Sequence, residues 1–118
     1  MVNEIIARCK SGLLPNVIEF GDAALPDAPY ITVKPEKHPI CGVLYRLILH
    51  YLPGQQEYLR AKAREVFELF NNIKLTNVRG KVNIILVEND YLDMTINNDD
   101  GTISMERMLW APGQPYTL

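Results

Sequence analysis

Between residues 43 and 73 the chain changes its hydrophobic period once, and that change restricts the fold more than any other feature. The nine residues Val43–Tyr51, VLYRLILHY, are rich in Leu, Val, Ile and Tyr and read as a strand. Pro53 cannot donate to a strand ladder and Gly54 accepts unusual backbone angles, so the strand stops before them. From Glu57 to Ile73 the period becomes helical. Leu59, Ala63, Val66, Phe67, Phe70 and Ile73 recur at that spacing, with Glu57, Arg60, Lys62, Arg64, Glu65 and Glu68 between them. A strand handing directly to a long amphipathic helix calls for a sheet with a helix packed on it.

The length of 118 residues predicts one domain, 1–118, with one core. A hydrophobic content of 47% is that of a globular chain and excludes wholesale disorder. The net charge of −2 and pI of about 5.6, with scattered bases, argue against a dedicated or sequence-specific nucleic-acid binder. Asn3, Glu4, Arg8 and Lys10 interrupt the first residues, unlike the apolar region of a signal peptide. No run approaches the roughly 20 apolar residues that span a bilayer, so no membrane partner is expected. Cys9 and Cys41 have no framework spacing, which points to a reduced, cytoplasmic setting.

Before the central stretch, Val2, Ile5, Ile6, Cys9 and Leu13 predict a short helix over about 2–11. Residues 12–29 carry Pro15, Gly21, Pro26 and Pro29, yet also Leu13, Leu14, Val17, Ile18, Phe20 and Leu25. That is too apolar for a flexible linker, so an irregular, ordered segment pinned to a surface is expected. Residues 30–34 read as a strand, with Pro35 marking its end at an edge or bulge, and pair antiparallel with 43–51 through a loose loop. After the helix come a turn at 76–80, a strand at 82–88 and a turn at Asn89-Asp90. A hairpin comes next, with strands at 91–97 and 102–110 and the tip Asn98-Asp99-Asp100-Gly101. Residues 111–118, with Pro112, Gly113 and Pro115, read as an extended arm. The predicted order is α-β-β-α-β-β-β: an α+β domain, one mainly antiparallel sheet packed with one long and one short helix.

The middle strands raise a packing question. Val43, Tyr45, Leu47, Leu49 and Tyr51 share one face, and the other, with Leu44, Arg46, Ile48 and His50, is still half apolar. One helix covers one face. The second needs the N-terminal helix with residues 12–29, or another subunit.

Few residues suggest chemistry. His38-x-x-Cys41 is half of a zinc pattern with no second half, so no metal is expected. Nothing in the spacing brings Cys9 or Cys41 to His38 or His50 as a nucleophile pair. Glu88, Asp90, Asp93, Asp99 and Asp100 lack calcium-loop spacing, and turn preference explains the last two. No glycine-rich phosphate loop exists, and Arg60, Lys62 and Arg64 alternate with acids as on a solvated helix face. No catalytic residue and no cofactor is expected.

Tyr30-Ile31-Thr32-Val33-Lys34-Pro35-Glu36, the strand 43–51 and Leu52-Pro53-Gly54-Gln55-Gln56 entering a helix together resemble small structural proteins of tailed bacteriophages. The closest group is the tail-terminator and head–tail joining (minor tail) proteins, and the likeness runs from about Tyr30 to Trp110. It implies a non-enzymatic subunit of a homo-oligomeric ring, a hexamer, that caps the tail tube and docks it to the head connector. DNA passes through such a ring, which assembles in the bacterial host cytoplasm and resides in the virion tail. Its contacts would come from edges, tips and arms, here Asn98, Asp99, Asp100, Trp110 and Tyr116. The mild acidity suits a lumen along which DNA slides. Two other readings stay open. One is a small-molecule or peptide-binding α+β module with a pocket lined by Tyr45, Tyr51 or Tyr58. The other is a small enzyme using His38, His50 or Cys41.

Overall fold

The computed structural model describes residues 2–14, 16–21, 26–70, 73–77, 80–83, 85–87 and 95–114, with the strands between 74 and 87 described as backbone. In chain order the elements are α1 (Val2–Gly12), β1 (Val17–Glu19), β2 (Tyr30–Lys37), β3 (Val43–Tyr51), α2 (Gln56–Phe70), β4 (Lys74–Asn77), β5 (Gly80–Asn83), β6 (Ile85–Val87), β7 (Ile96–Asn97) and β8 (Ile103–Ala111). The main sheet runs β1-β2-β3-β8-β6, and β7 pairs with the other end of β8. Among the described strands only β1–β2 is parallel. Strands β4 and β5 form a separate antiparallel pair. The fold is α+β, as the alternation of elements predicts.

The core arises where period-2 and period-3.6 patterns meet at one surface. Every second residue of β3 is buried, from Val43 to Tyr51. Its register places Ile31 and Val33 of β2 beside Leu49 and Leu47, and Met105 and Leu109 of β8 beside Leu49 and Tyr45. Onto this face α2 lowers Leu59, Ala63, Val66 and Phe70, and α1 lowers Ile5 and Cys9. Each fully buried aliphatic or Phe side chain contributes on the order of 1.5–3 kcal/mol relative to exposure.

Both helices therefore cover the same face. The expectation that α1 could cover the second face is corrected: α1 packs on β1, β2 and α2. Of residues 12–29, Phe20 lies against Lys34 at the margin of the second face, its ring centroid 4.8 Å from Nζ, and 22–25 lie outside the described residues. The cause lies in the residues just after α1. Leu13, Leu14 and Val17 are buried, and parallel pairing sets Val17 beside Ile31 on the helix side.

The junctions show why the elements stop where they do. The Leu52–Gln55 turn is closed by Gln55 N–H donating to the Leu52 carbonyl at 3.2 Å, with Gly54 at φ +88°. The Gln55 carbonyl then accepts from Leu59 N–H at 2.9 Å, the first bond of α2. In the β2–β3 loop Gly42 has φ +79°, and a Cβ there would collide with the Ala111 carbonyl oxygen and the Pro112 backbone.

Several expected boundaries move. The segment 12–29 contains β1, too short at three residues for its period to be read. Strand β2 continues through Pro35 to Lys37. Among the described strands β1 pairs only with Ile31, Thr32 and Val33, so the missing N–H of Pro35 costs no ladder bond to it. The expected turn at 76–80 belongs to the β4–β5 hairpin, with 78–79 outside the described residues. The expected strand 82–88 is divided: Gly80–Asn83 pairs with β4, whereas Ile85–Val87 pairs with β8. Of the expected strand 91–97, only Ile96–Asn97 lies among the described strands; 91–94 lie outside the described residues, as do Asn71, Asn72, Asn89 and Asp90. Ala111 ends β8 rather than starting an arm, and Gln114 N–H folds back on its carbonyl at 3.3 Å. Residues 115–118, with Pro115 and Tyr116, lie outside the described residues. No described helix is long and apolar enough to cross a membrane.

Candidate interface on the second sheet face

The face of the main sheet away from the helices is built from the alternate positions of each strand. Register sets them in four rows: Tyr30, His50 and Ser104; Thr32, Ile48 and Glu106; Lys34, Arg46 and Met108; Glu36, Leu44 and Trp110. Tyr30, Thr32 and Ser104 are buried, and the other nine are half-buried.

Arg46 organises the centre. Lys34 stands directly opposite it on β2, an unfavourable like-charge pair. Two diagonal carboxylates relieve it. Arg46 Nε and Nη2 donate to the two oxygens of Glu36 at 3.3 and 3.2 Å, and Nη1 donates to Glu106 at 2.6 Å. Lys34 Nζ lies 3.4 Å from the same Glu36. These bonds from Arg46 hold the Glu36 carboxyl below its ordinary range, against an opposing push from burial. The cluster carries two positive and two negative charges and sums to zero.

At one end the Tyr30 and His50 rings stack at 4.4 Å and 13°, and Thr32 Oγ1 meets His50 Nε2 at 3.3 Å. Burial lowers the His50 pKa, opposed by Asp100, so the imidazole is neutral at pH 7. The tip lies beside this end. Asn98 is half-buried, and its Nδ2 donates to Thr102 Oγ1 at 3.0 Å. Thr102 N–H and Oγ1–H both donate to Asp100 Oδ1, at 3.0 and 2.6 Å, and hold that carboxyl below its usual range. Asp99 and Asp100 are exposed, and Gly101 takes φ +86°.

At the other end Trp110 is half-buried in β8. Its Nε1–H donates to the Cys41 carbonyl at 2.8 Å, and the His38 ring stacks on it at 4.4 Å. Trp110 thus docks on its own β2–β3 loop. Six residue steps along β8 separate Ser104 from Trp110, about 20 Å along the strand. The tip residues Asn98, Asp99 and Asp100 and the Trp110 ring therefore mark opposite ends of one face and do not meet. Tyr116 lies outside the described residues.

The candidate chemical groups are dispersed. His38 Nδ1 accepts from Ile40 N–H at 3.1 Å, closing its own loop. Cys41 is exposed there, while Cys9 lies in the helix-side core with its thiol pushed up to about 12 by burial. Cys9 and both histidines sit on opposite sides of the sheet. Among the described residues no His, Cys, Asp and Glu group could hold a metal ion; Glu88, Asp90 and Asp93 lie outside them. Tyr45 and Tyr51, expected to line a pocket, are core residues. A cavity of about 380 Å³ lies instead where α2 meets β8, and its described lining residues are Arg60, Arg64, Phe67 and Arg107.

Sequence reasoning missed the Arg46 cluster and Arg107. Charges at alternate positions 34, 36, 46 and 106 were a signal, but only register joins them. No protein-family model, no curated protein and no solved structure matches the chain.

Proposed function

We propose that the protein is a non-enzymatic assembly subunit that forms a ring with copies of itself, as a tail terminator or head–tail joining protein of a tailed bacteriophage. The observation that carries this reading is the one-sided placement of the helices. The second face of the sheet mixes Leu44, Ile48, Met108 and Trp110 with a neutral ion cluster, and no described helix lies over it. Such a mixed surface is typical of protein contacts. Its margins support the same reading, with Phe20 51% and Ile40 84% exposed.

A closed ring needs two different patches on each subunit. The second face and the sheet edges supply them in this reading. In a ring with Asp99 and Asp100 on its inner rim, like charge keeps DNA sliding. The tail tube and head connector are the partners, and assembly takes place in the host cytoplasm before the ring joins the virion tail.

Size-exclusion chromatography with light scattering, run across concentrations and with added tail tubes, tests this. A discrete ring mass, hexameric or close to it, or capture by the tubes is the expected result. A monomer at every concentration with no tube association would overturn it.

A further inference from the structure

We propose that the cavity between α2 and β8 binds a phosphorylated small molecule of nucleotide size. This inference does not depend on ring formation, because the cavity lies within one chain. Arg60, Arg64 and Phe67 succeed one another at i, i+4 and i+7, one position on from the stripe Leu59, Ala63 and Val66 that α2 buries. The helix therefore turns this second stripe along the flank of its buried face, toward β8. From the strand side comes Arg107, which register places beside Leu47 on the helix-covered face. It is 5% exposed and lines the cavity, whereas Arg60 and Arg64, which also line it, are exposed. Its Nη1 donates to the Glu106 carbonyl at 2.9 Å, which helps fix the guanidinium.

Three of the chain's six arginines thus converge in a protein of net charge −2. Lys62 pairs with Glu65 at 3.2 Å, but no described carboxylate forms an ion pair with Arg60 or Arg64. Glu68 is four residues beyond Arg64, the weaker order for a helical ion pair. Arg60 and Arg64 also repel each other at i and i+4. A multiply charged oxyanion between them turns that repulsion into attraction. Guanidinium forks fit phosphate oxygens two at a time. The remaining space decides the size of the ligand. About 380 Å³ is far more than one phosphate fills and falls in the small-molecule range. Phe67 offers an apolar wall against which a planar base packs.

Isothermal titration of the full chain at constant ionic strength tests the site, with ADP, inorganic phosphate and citrate as probes. ADP is expected to bind saturably at one per chain, and more tightly than phosphate or citrate. Arg60→Gln and Arg64→Gln should each weaken ADP about tenfold or more, and the double variant should abolish binding. Lys10→Gln, on exposed α1 surface, should leave it unchanged. Both arginines are exposed, so these variants keep their fold, which circular dichroism checks. Absence of saturable ADP binding would overturn the proposal. So would an unchanged affinity in the double variant. Citrate binding as tightly as ADP would also overturn it, because the site would then select charge alone.

Discussion

The hydroxyl of Tyr51 is a buried polar group of the described core that finds no hydrogen-bond partner. Its ring is fully buried and packs edge-on against Tyr58 at 5.4 Å and 72°, yet its oxygen has no hydrogen-bond partner among the described residues. Burial, then Tyr58 and Glu65, push its pKa well above the ordinary phenol range. An unsatisfied buried hydroxyl costs roughly 1–3 kcal/mol, while the ring supplies the packing. Tyr51→Phe separates the two. It should leave stability unchanged or raise it by about 1 kcal/mol in urea unfolding, and Tyr51→Ala should lose roughly 3–5 kcal/mol. A clear loss in the phenylalanine variant would mean that the oxygen is satisfied after all. Cys9 is the contrasting case, a thiol whose burial makes it an inert small hydrophobe. At this scale burial was legible: Tyr51 stood on the apolar side of its strand by period alone. That its oxygen would meet nothing was not, because hydrogen bonding depends on neighbours that α2 brings in.

At the scale of elements, β3 and α2 were legible because nine and fifteen residues are long enough to declare a period. The three-residue β1 and β6 were not, and a run apolar on both faces such as 82–87 gave no sign that two sheets would divide it. The Arg46 cluster belongs to this scale, since it exists only through the pairing of β2, β3 and β8. Arg46→Met keeps the stem but leaves Glu106 without its Arg46 partner and Glu36 with Lys34 alone. At pH 7 it should cost about 1–2 kcal/mol, above an exposed ion pair because these groups are about three-quarters shielded. The pH dependence has a definite sign. The folded-state pKa of Glu36 is depressed, so its pairing stabilises above the ordinary carboxylate range and is lost as pH falls through the folded value. Urea unfolding of both proteins should therefore show a gap at pH 7 that narrows toward pH 3. A gap of constant size would assign the effect to packing of the side-chain stem.

For the whole molecule, the sequence made one deduction available: a strand half apolar on its outer side cannot be satisfied by one helix. Where α1 would go was hidden, because an amphipathic stripe reads the same whichever face receives it. Leu13, Leu14 and Val17 decided it by drawing the chain into β1 on the helix side. The tip at Asn98–Gly101 was legible as turn chemistry, and the distance between it and Trp110 emerged only once β8 was placed. That placement makes Trp110, the single tryptophan, a reporter for the second face. It is half-buried, its Nε1–H is already bonded within the chain, and its ring edge shares a row with Glu36 and Leu44. If a second copy covers this face on assembly, the ring loses water while its internal hydrogen bond stays. Emission should then shift to shorter wavelength, and acrylamide quenching should fall, over the same concentrations at which light scattering records growth in mass. A ring that forms with unchanged Trp110 emission and quenching would place the contacts at the sheet edges or the Asp99–Asp100 tip and remove the second face from the interface. Ile48→Thr sharpens the comparison, because a polar β-branched residue keeps strand geometry while removing apolar surface from the centre of that face. It should shift assembly to higher concentration and leave the unfolding midpoint of the monomer nearly unchanged.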